Sequence, residues 1–171
     1  MTPVILGLLF HGPCSGYEIK AIVDRSTRFF WAASYGQIYP ELRRLERAGL
    51  VTGEDAARGR RARRVYRLTD AGRRELEAWL HGPATTVELR DESLLRLFFA
   101  DALPREEAVG LLEARRRGHE QYLAELRAIE AGAGEDPPFV ALVLRWGIAF
   151  NEWGAEWCTR ELERLAPTRA S

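Results

Sequence analysis

The sequence holds two cysteines and three histidines in 171 residues, and none of the local patterns that carry enzyme chemistry. No P-loop, GxSxG or HExxH stretch occurs. His11, His81 and His119 are scattered and read as helix-end or surface residues, and Tyr17, Tyr66 and Tyr122 as packing residues. No catalytic residue, metal ligand or cofactor is therefore assigned. Cys14 and Cys158 stand 144 positions apart with no CxxC spacing, which excludes a disulfide framework and a thiolate metal site and leaves two reduced, packed thiols. Long apolar runs are missing as well. The stretch Val4 to Phe10 is short and has no basic residue before it, so neither a signal peptide nor a membrane span is expected, and the protein is placed in the cytoplasm.

Net charge is zero, but only in the sum. Residues 1–82 carry 14 Lys+Arg against 9 Asp+Glu, net +5, and residues 83–171 carry 11 against 16, net −5. A basic half joined to an acidic half favours one end meeting a polyanion, because affinity for nucleic acid comes largely from neutralising phosphates. The length allows two domains of 80 to 90 residues, each with a thin core, which favours association to bury more surface. The expected division is 1–82, a linker at 83–90, a second domain at 91–166 and a tail at 167–171.

What is present is concentrated between Ser34 and Leu68. On a helix turning about 100° per residue, Ile38, Leu42 and Leu45 share a narrow stripe while Gly36, Pro40, Arg43 and Arg47 gather opposite. Gln37, Arg44 and Tyr39 flank the outer face, so it offers side chains suited to base edges and phosphates. Pro40 is harmless only in a first turn, so the helix is expected to start at Gly36 or Gln37, with Ser34 and Tyr35 in the preceding turn. Gly49 should close it in the left-handed conformation, and Gly36 suits a close backbone approach to DNA. Short β runs follow, Leu50 to Gly53 and Arg63 to Leu68. Six arginines and no acid lie between Arg58 and Leu68, which places Arg58, Arg60, Arg61 and Arg63 at phosphates or in a minor groove. A run of like charge is often only a solvated surface. Its place directly after a helix with a guanidinium face favours a recognition helix with its wing.

The flanks complete that unit. Pro3 to His11 is an apolar helix candidate closed by Gly12-Pro13. Ser15 caps a second helix, GYEIKAIVDRSTRFF, with Tyr17, Ile19, Ile22, Val23 and Phe29 or Phe30 on the buried side and Lys20, Asp24 and Arg28 on the wet one. Thr69 caps Asp70 to His81, whose apolar side is Leu76, Trp79 and Leu80. The stretches ILGLL, GPCSGYEIK, FFW, GQIYPELRRLERAGLV, RRVYRLTDAG and Trp79-Leu80, in order through residues 4 to 80, resemble the PadR family of bacterial transcription regulators. The resemblance implies a mainly α fold with a small β-hairpin wing: an N-terminal winged helix-turn-helix and a C-terminal helical hairpin that dimerises like a coiled coil. It further implies a homodimer on a roughly palindromic double-stranded DNA operator, most often as a repressor, and nucleoid association when bound.

In the second half LRDESLLRLFFAD and LPREEAVGLLEARRRGHEQYLAEL resemble the longer effector domain of that family. Helices are expected over Asp91 to Asp101, from Pro104 to Gly132 and from Pro138 to about Leu165. In the last, Phe139, Val143, Trp146, Phe150, Trp153 and Trp157 recur at spacings of four and three, with Gly147 and Gly154 alongside. Ala108, Leu111, Leu112, Tyr122, Leu126 and Ile129 offer a complementary stripe for an antiparallel hairpin that meets its dimer mate. Aromatic stripes of this kind are usually core or interface. The functional reading makes Tyr122, Trp146, Phe150, Trp153 and Trp157 a dimerisation and effector surface for a small hydrophobic or aromatic molecule, as likeness to drug- and phenolic-acid-responsive relatives implies. The rival to DNA binding is a winged helix that docks proteins without binding specific DNA.

Overall fold

A computed structural model describes residues 1–27, 35–56, 63–83, 91–132, 134 and 137–166. The chain divides into two compact units, Met1–Val87 and Glu88–Ser171.

The first unit contains α1 (Thr2–Phe10), β1 (Cys14–Ser15), α2 (Gly16–Arg25), α3 (Tyr35–Arg47), β2 (Val51–Ala56), β3 (Arg63–Leu68) and α4 (Asp70–His81). Ser15 and Glu18 form a reciprocal cap at the start of α2, each side chain meeting the other's backbone amide. The core joins Ile5, Leu6 and Leu9 of α1 to Ile19, then to Ile38, Leu42 and Leu45 of α3, with Val51, Tyr66 and Leu76 closing it. Gly49 follows α3 with φ +69°, the left-handed cap expected of a glycine there. The antiparallel sheet has the order β1-β3-β2, with β2 and β3 in register from Val51↔Leu68 to Ala56↔Arg63. The two-residue β1, which sequence reading did not anticipate, pairs Cys14 with Tyr66 and Ser15 with Val65. The first strand of the hairpin extends three residues beyond the expected Gly53.

Several expectations need correction. Tyr17 is 67% exposed; two residues before Ile19 lies about 160° round a helix, so the two cannot share a buried stripe. Lys20, placed on the wet side, keeps a side chain only 15% exposed while its ammonium reaches Asp24, the usual habit of an apolar stem with a charged tip. Phe29, Phe30 and Arg28 lie outside the described residues. Pro40 is the sixth residue of α3 rather than a first-turn residue, so it cannot donate to the Gly36 carbonyl. Trp79 and Leu80 are exposed, because the buried positions of α4 are Gly72 and Leu76.

The second unit contains α5 (Glu92–Phe98), a 3-10 turn (Ala100–Ala102), α6 (Arg105–Gly132) and α7 (Pro138–Leu165). Asp91 caps α5 by accepting the Leu94 amide at 3.1 Å, and its other carboxylate oxygen accepts from Arg115 Nη1 of α6 at 2.7 Å. Burial alone would raise the Asp91 pKa, but the bonds from Ser93, Arg115 and the Leu94 amide outweigh it and bring it to about 2. The long helices are antiparallel, since Leu126 packs beside Gly147, His119 meets Asn151, and Arg105 donates to the Leu165 carbonyl.

The seam between them is not the aromatic stripe. Gly147, Asn151, Gly154 and Cys158 face α6, and Phe139, Trp146, Phe150 and Trp153 are exposed. A Cβ at Gly154 would stand 2.6 Å from the His119 ring, so glycine there admits the imidazole. Asn151 Nδ2 donates to the Gly147 carbonyl at 2.8 Å, which leaves Oδ1 to accept from His119 Nδ1 at 3.0 Å. Tyr122, expected in the α6 stripe, is exposed.

Candidate nucleic-acid interface

The inner stripe of α3 is wholly buried, with Ile38, Leu42 and Leu45 each at 0% exposure. This fixes the rotation of the helix. Gly36, Gln37, Pro40, Arg43 and Arg47 consequently lie on its exposed side, and Arg47 Nε donates to the Arg43 carbonyl at 3.3 Å. Tyr39 is 40% exposed, and its ring lies over the first residue of α2, where a Cβ on Gly16 would come within 2.6 Å of Cε1. Gly16 thereby lets the phenol seat between the second and third helices. Tyr35 opens α3. Ser34, Arg58, Arg60 and Arg61 lie outside the described residues.

Two arginines expected to read DNA are tied within the protein. Arg44 donates through Nε to Glu41 Oε2 at 2.8 Å and through Nη2 to Glu41 Oε1 at 2.9 Å and Thr2 Oγ1 at 2.7 Å. It borders a hollow of about 260 Å³ with Pro3, Leu6, Leu76 and Trp79, on the α1 and α4 side of the helix. Arg63 pairs with Glu18 of α2. Each acid is held well below the usual carboxylate range, to about 2, Glu18 chiefly by its hydrogen bond from Arg63 and Glu41 chiefly by that from Arg44. The spacing of Glu41 and Arg44 could have signalled the first tie, since residues three apart are neighbours on a helix. Nothing local links Glu18 to Arg63. A third tie, Glu46 to Arg64, was also missed, because it depends on the hairpin register.

On the second unit, Trp146 stacks on Phe150 with ring centres 5.4 Å apart and planes 11° apart, and Phe150 continues to Trp153 at 6.3 Å. His119 meets the Phe150 ring edge-on at 5.9 Å. Trp157 is half-buried. No group of His, Cys, Asp or Glu among the described residues could hold a metal ion, and no helix there is long and apolar enough to cross a membrane.

Comparison with known proteins places this geometry. Residues 5–78 match the model of the transcriptional regulator PadR-like family, and residues 89–166 match the virulence activator alpha C-terminal model. The negative transcriptional regulator PadR of Bacillus subtilis is 36% identical over 72% of this chain and 69% of its own length. The chain belongs to the PadR-like family of transcriptional regulators. A second relative, the probable transcriptional regulator Rv1176c of Mycobacterium tuberculosis, is 30% identical over 96% of this chain and 97% of its own. Among solved structures, Bacillus subtilis PadR in complex with operator DNA superposes with a TM-score of 0.86 at 30% identity, covering 96% of this chain and 98% of that one. The same PadR in complex with p-coumaric acid gives 0.79 at 29%, covering 98% and 96%. The PadR-like family is one of regulators rather than enzymes, and its winged-helix fold with a largely helical second part is the fold found here.

Proposed function

We propose that this PadR-like regulator is a repressor that binds a pseudo-palindromic operator as a homodimer and is released by a flat hydrophobic or aromatic effector. The observation that carries the reading is the outer face of α3, where Gly36, Gln37, Arg43 and Arg47 are exposed while the opposite stripe is sealed in the core. Gln37 and Arg43 are assigned to base edges, Arg47 to phosphate and Gly36 to the close backbone approach, with Ser34, Tyr35 and Tyr39 completing the DNA-facing set. Arg58, Arg60 and Arg61 are assigned to wing contacts with phosphate or the minor groove, which Arg63 joins only if it leaves Glu18. Arg44 reaches DNA only if it leaves Glu41 and Thr2.

Dimerisation is assigned to the second unit, where the exposed row Phe139, Val143, Trp146, Phe150 and Trp153 gives α7 an apolar face suited to another helix. The stacked rings of Trp146, Phe150 and Trp153, with Tyr122 and Trp157, are also the surface on which a planar effector would stack. The p-coumaric acid complex of the Bacillus subtilis relative supports a ligand of that kind. An effector seated there would change the separation of the two reading helices and spoil their match to the half-sites.

The test is binding to genomic fragments, including the protein's own promoter region, with competitor DNA and rising salt, followed by footprinting. A salt-resistant footprint with dyad symmetry is expected. Binding no stronger than to competitor would overturn the reading.

A further inference from the structure

Two acid–guanidinium ties hold the root of the wing, one on each side of β3. Successive residues of a strand point to opposite faces, so Arg63 and Arg64 leave β3 in opposite directions. Arg63 pairs with Glu18 of α2. Arg64 Nη2 donates to Glu46 Oε1 of α3 at 2.5 Å, and Nη1 donates to Asp55 Oδ1 of β2 at 3.1 Å. The same Glu46 oxygen accepts the Gly53 amide at 3.0 Å. One carboxylate oxygen in the last turn of α3 therefore grips both strands of the hairpin. Gly53 makes room for the tie, since a Cβ there would stand 2.6 Å from both Arg64 Nε and Glu46 Oε1.

The position of the ties matters. β1 supports β3 only at Val65 and Tyr66, so among the described residues the hairpin continues past Arg64 with two strands alone. A two-stranded ribbon is marginal by itself and strongly twisted. The ties stand at Arg64 and Arg63, one and two residues beyond the third strand. We propose that Glu46, with Glu18, is a positioning residue for DNA reading: it fixes the angle at which the wing leaves the sheet, so that the wing and the outer face of α3 meet one duplex together. The inference rests on the assignment of α3 and the wing to DNA.

The sign of its effect separates positioning from plain charge. An acid beside a DNA-binding surface repels phosphate, so deleting it ordinarily tightens non-specific binding. Deleting a positioning acid weakens binding although the protein gains positive charge. Glu46 is the cleaner residue to change, because Glu18 also caps α2.

The experiment measures binding of the full chain to a random-sequence duplex of about 30 base pairs across a salt series, with amide hydrogen exchange of the free protein alongside. Glu46→Ala should bind roughly three- to tenfold more weakly and lose about one to two from the salt slope as wing contacts drop out. Glu46→Gln, which keeps an acceptor for Gly53 and Arg64, should lose less, and Glu54→Ala, an acid on the same hairpin, should tighten binding. Exchange should quicken in β2 and β3 of Glu46→Ala but not in α1. Tightening by Glu46→Ala to match Glu54→Ala overturns the proposal, as does faster exchange throughout the first unit, which would make the weakening a loss of fold. Wild-type protein that binds no DNA overturns the underlying assignment as well, whereas firm wild-type binding left unchanged by Glu46→Ala overturns the positioning role alone.

Discussion

Gly72 occupies a junction where any side chain would drive into the carbonyl of Leu50 and within 2.8 Å of Leu68 Cδ1. That carbonyl is already in use: it accepts the Thr69 amide at 3.2 Å and shares the one Thr69 hydroxyl proton, at 2.9 Å, with the Gly49 carbonyl at 2.8 Å, and the same hydroxyl oxygen accepts the Gly72 amide at 3.0 Å to cap α4. A backbone oxygen pinned by the Thr69 amide cannot give way as a side chain would. Gly72→Ala is expected to destabilise the first unit by about 3 kcal/mol, the scale of overpacking against a rigid wall. Gly7 offers the contrast, since a Cβ there meets nothing within 4 Å, and Gly7→Ala should stabilise α1 by about 0.5–1 kcal/mol through helix propensity. Urea unfolding of the two variants checks both signs, and equal effects would show that the junction is looser than the geometry requires. The Thr69 cap was legible in the sequence because a threonine precedes an acidic first turn. The need for glycine three residues on was not, because the obstructing carbonyl belongs to a residue 22 positions earlier.

At the scale of elements, carboxylates join helix to helix and helix to strand: Glu18 to Arg63, Glu41 to Arg44 and Thr2, Asp91 to Arg115 and Ser93. All three acids are lowered in the folded state, Glu18 and Glu41 from 4.5 to about 2 and Asp91 from 3.8 to about 2. A folded value below the unfolded one means the unfolded chain binds the proton first. The stabilisation is therefore complete above about pH 4.5 and drains away as the pH falls toward 2. The urea midpoint should fall between pH 5 and 2.5, and the combined variant Glu18→Gln, Glu41→Gln, Asp91→Asn should be less stable at pH 7 but lose less on acidification. An unchanged acid slope in that variant would assign the loss to other groups. The elements themselves were well marked: Arg63–Leu68, Asp70–His81 and Pro138–Leu165 fall where capping, proline and periodicity put them. The seam on α7 was misread for a physical reason. Gly147, Asn151, Gly154 and Cys158 repeat at the same four-three-four spacing as the aromatics, displaced by one residue, or about 100°. Hydrophobicity favours the aromatic row, but close approach of two helices favours the small one, and here the small row carries the hairpin.

For the whole molecule, that displacement has a consequence. The aromatic row not used inside the hairpin is left to the outside, with Trp146 59% and Phe139 79% exposed. If this row joins two copies, changing it should divide dimer-dependent DNA binding from the rest. Phe150→Ser with Trp153→Ser is expected to leave the thermal transition of the first unit in place and to shift sedimentation from dimer to monomer at micromolar concentration. On DNA the loss should depend on symmetry. Two reading helices on a dyad lie about 34 Å apart and reach half-sites roughly 10 base pairs apart, so a dimer joined through this row would gain affinity from engaging both. The variant should bind an intact operator no better than an isolated half-site, and its affinity for random DNA should fall far less. Sedimentation velocity and paired titrations on full and half operators measure this directly. A variant that remains dimeric would move the interface off the aromatic row and leave those rings to ligand binding, and a monomeric variant that keeps full preference for the intact operator would remove dimerisation from the account of how the operator is read.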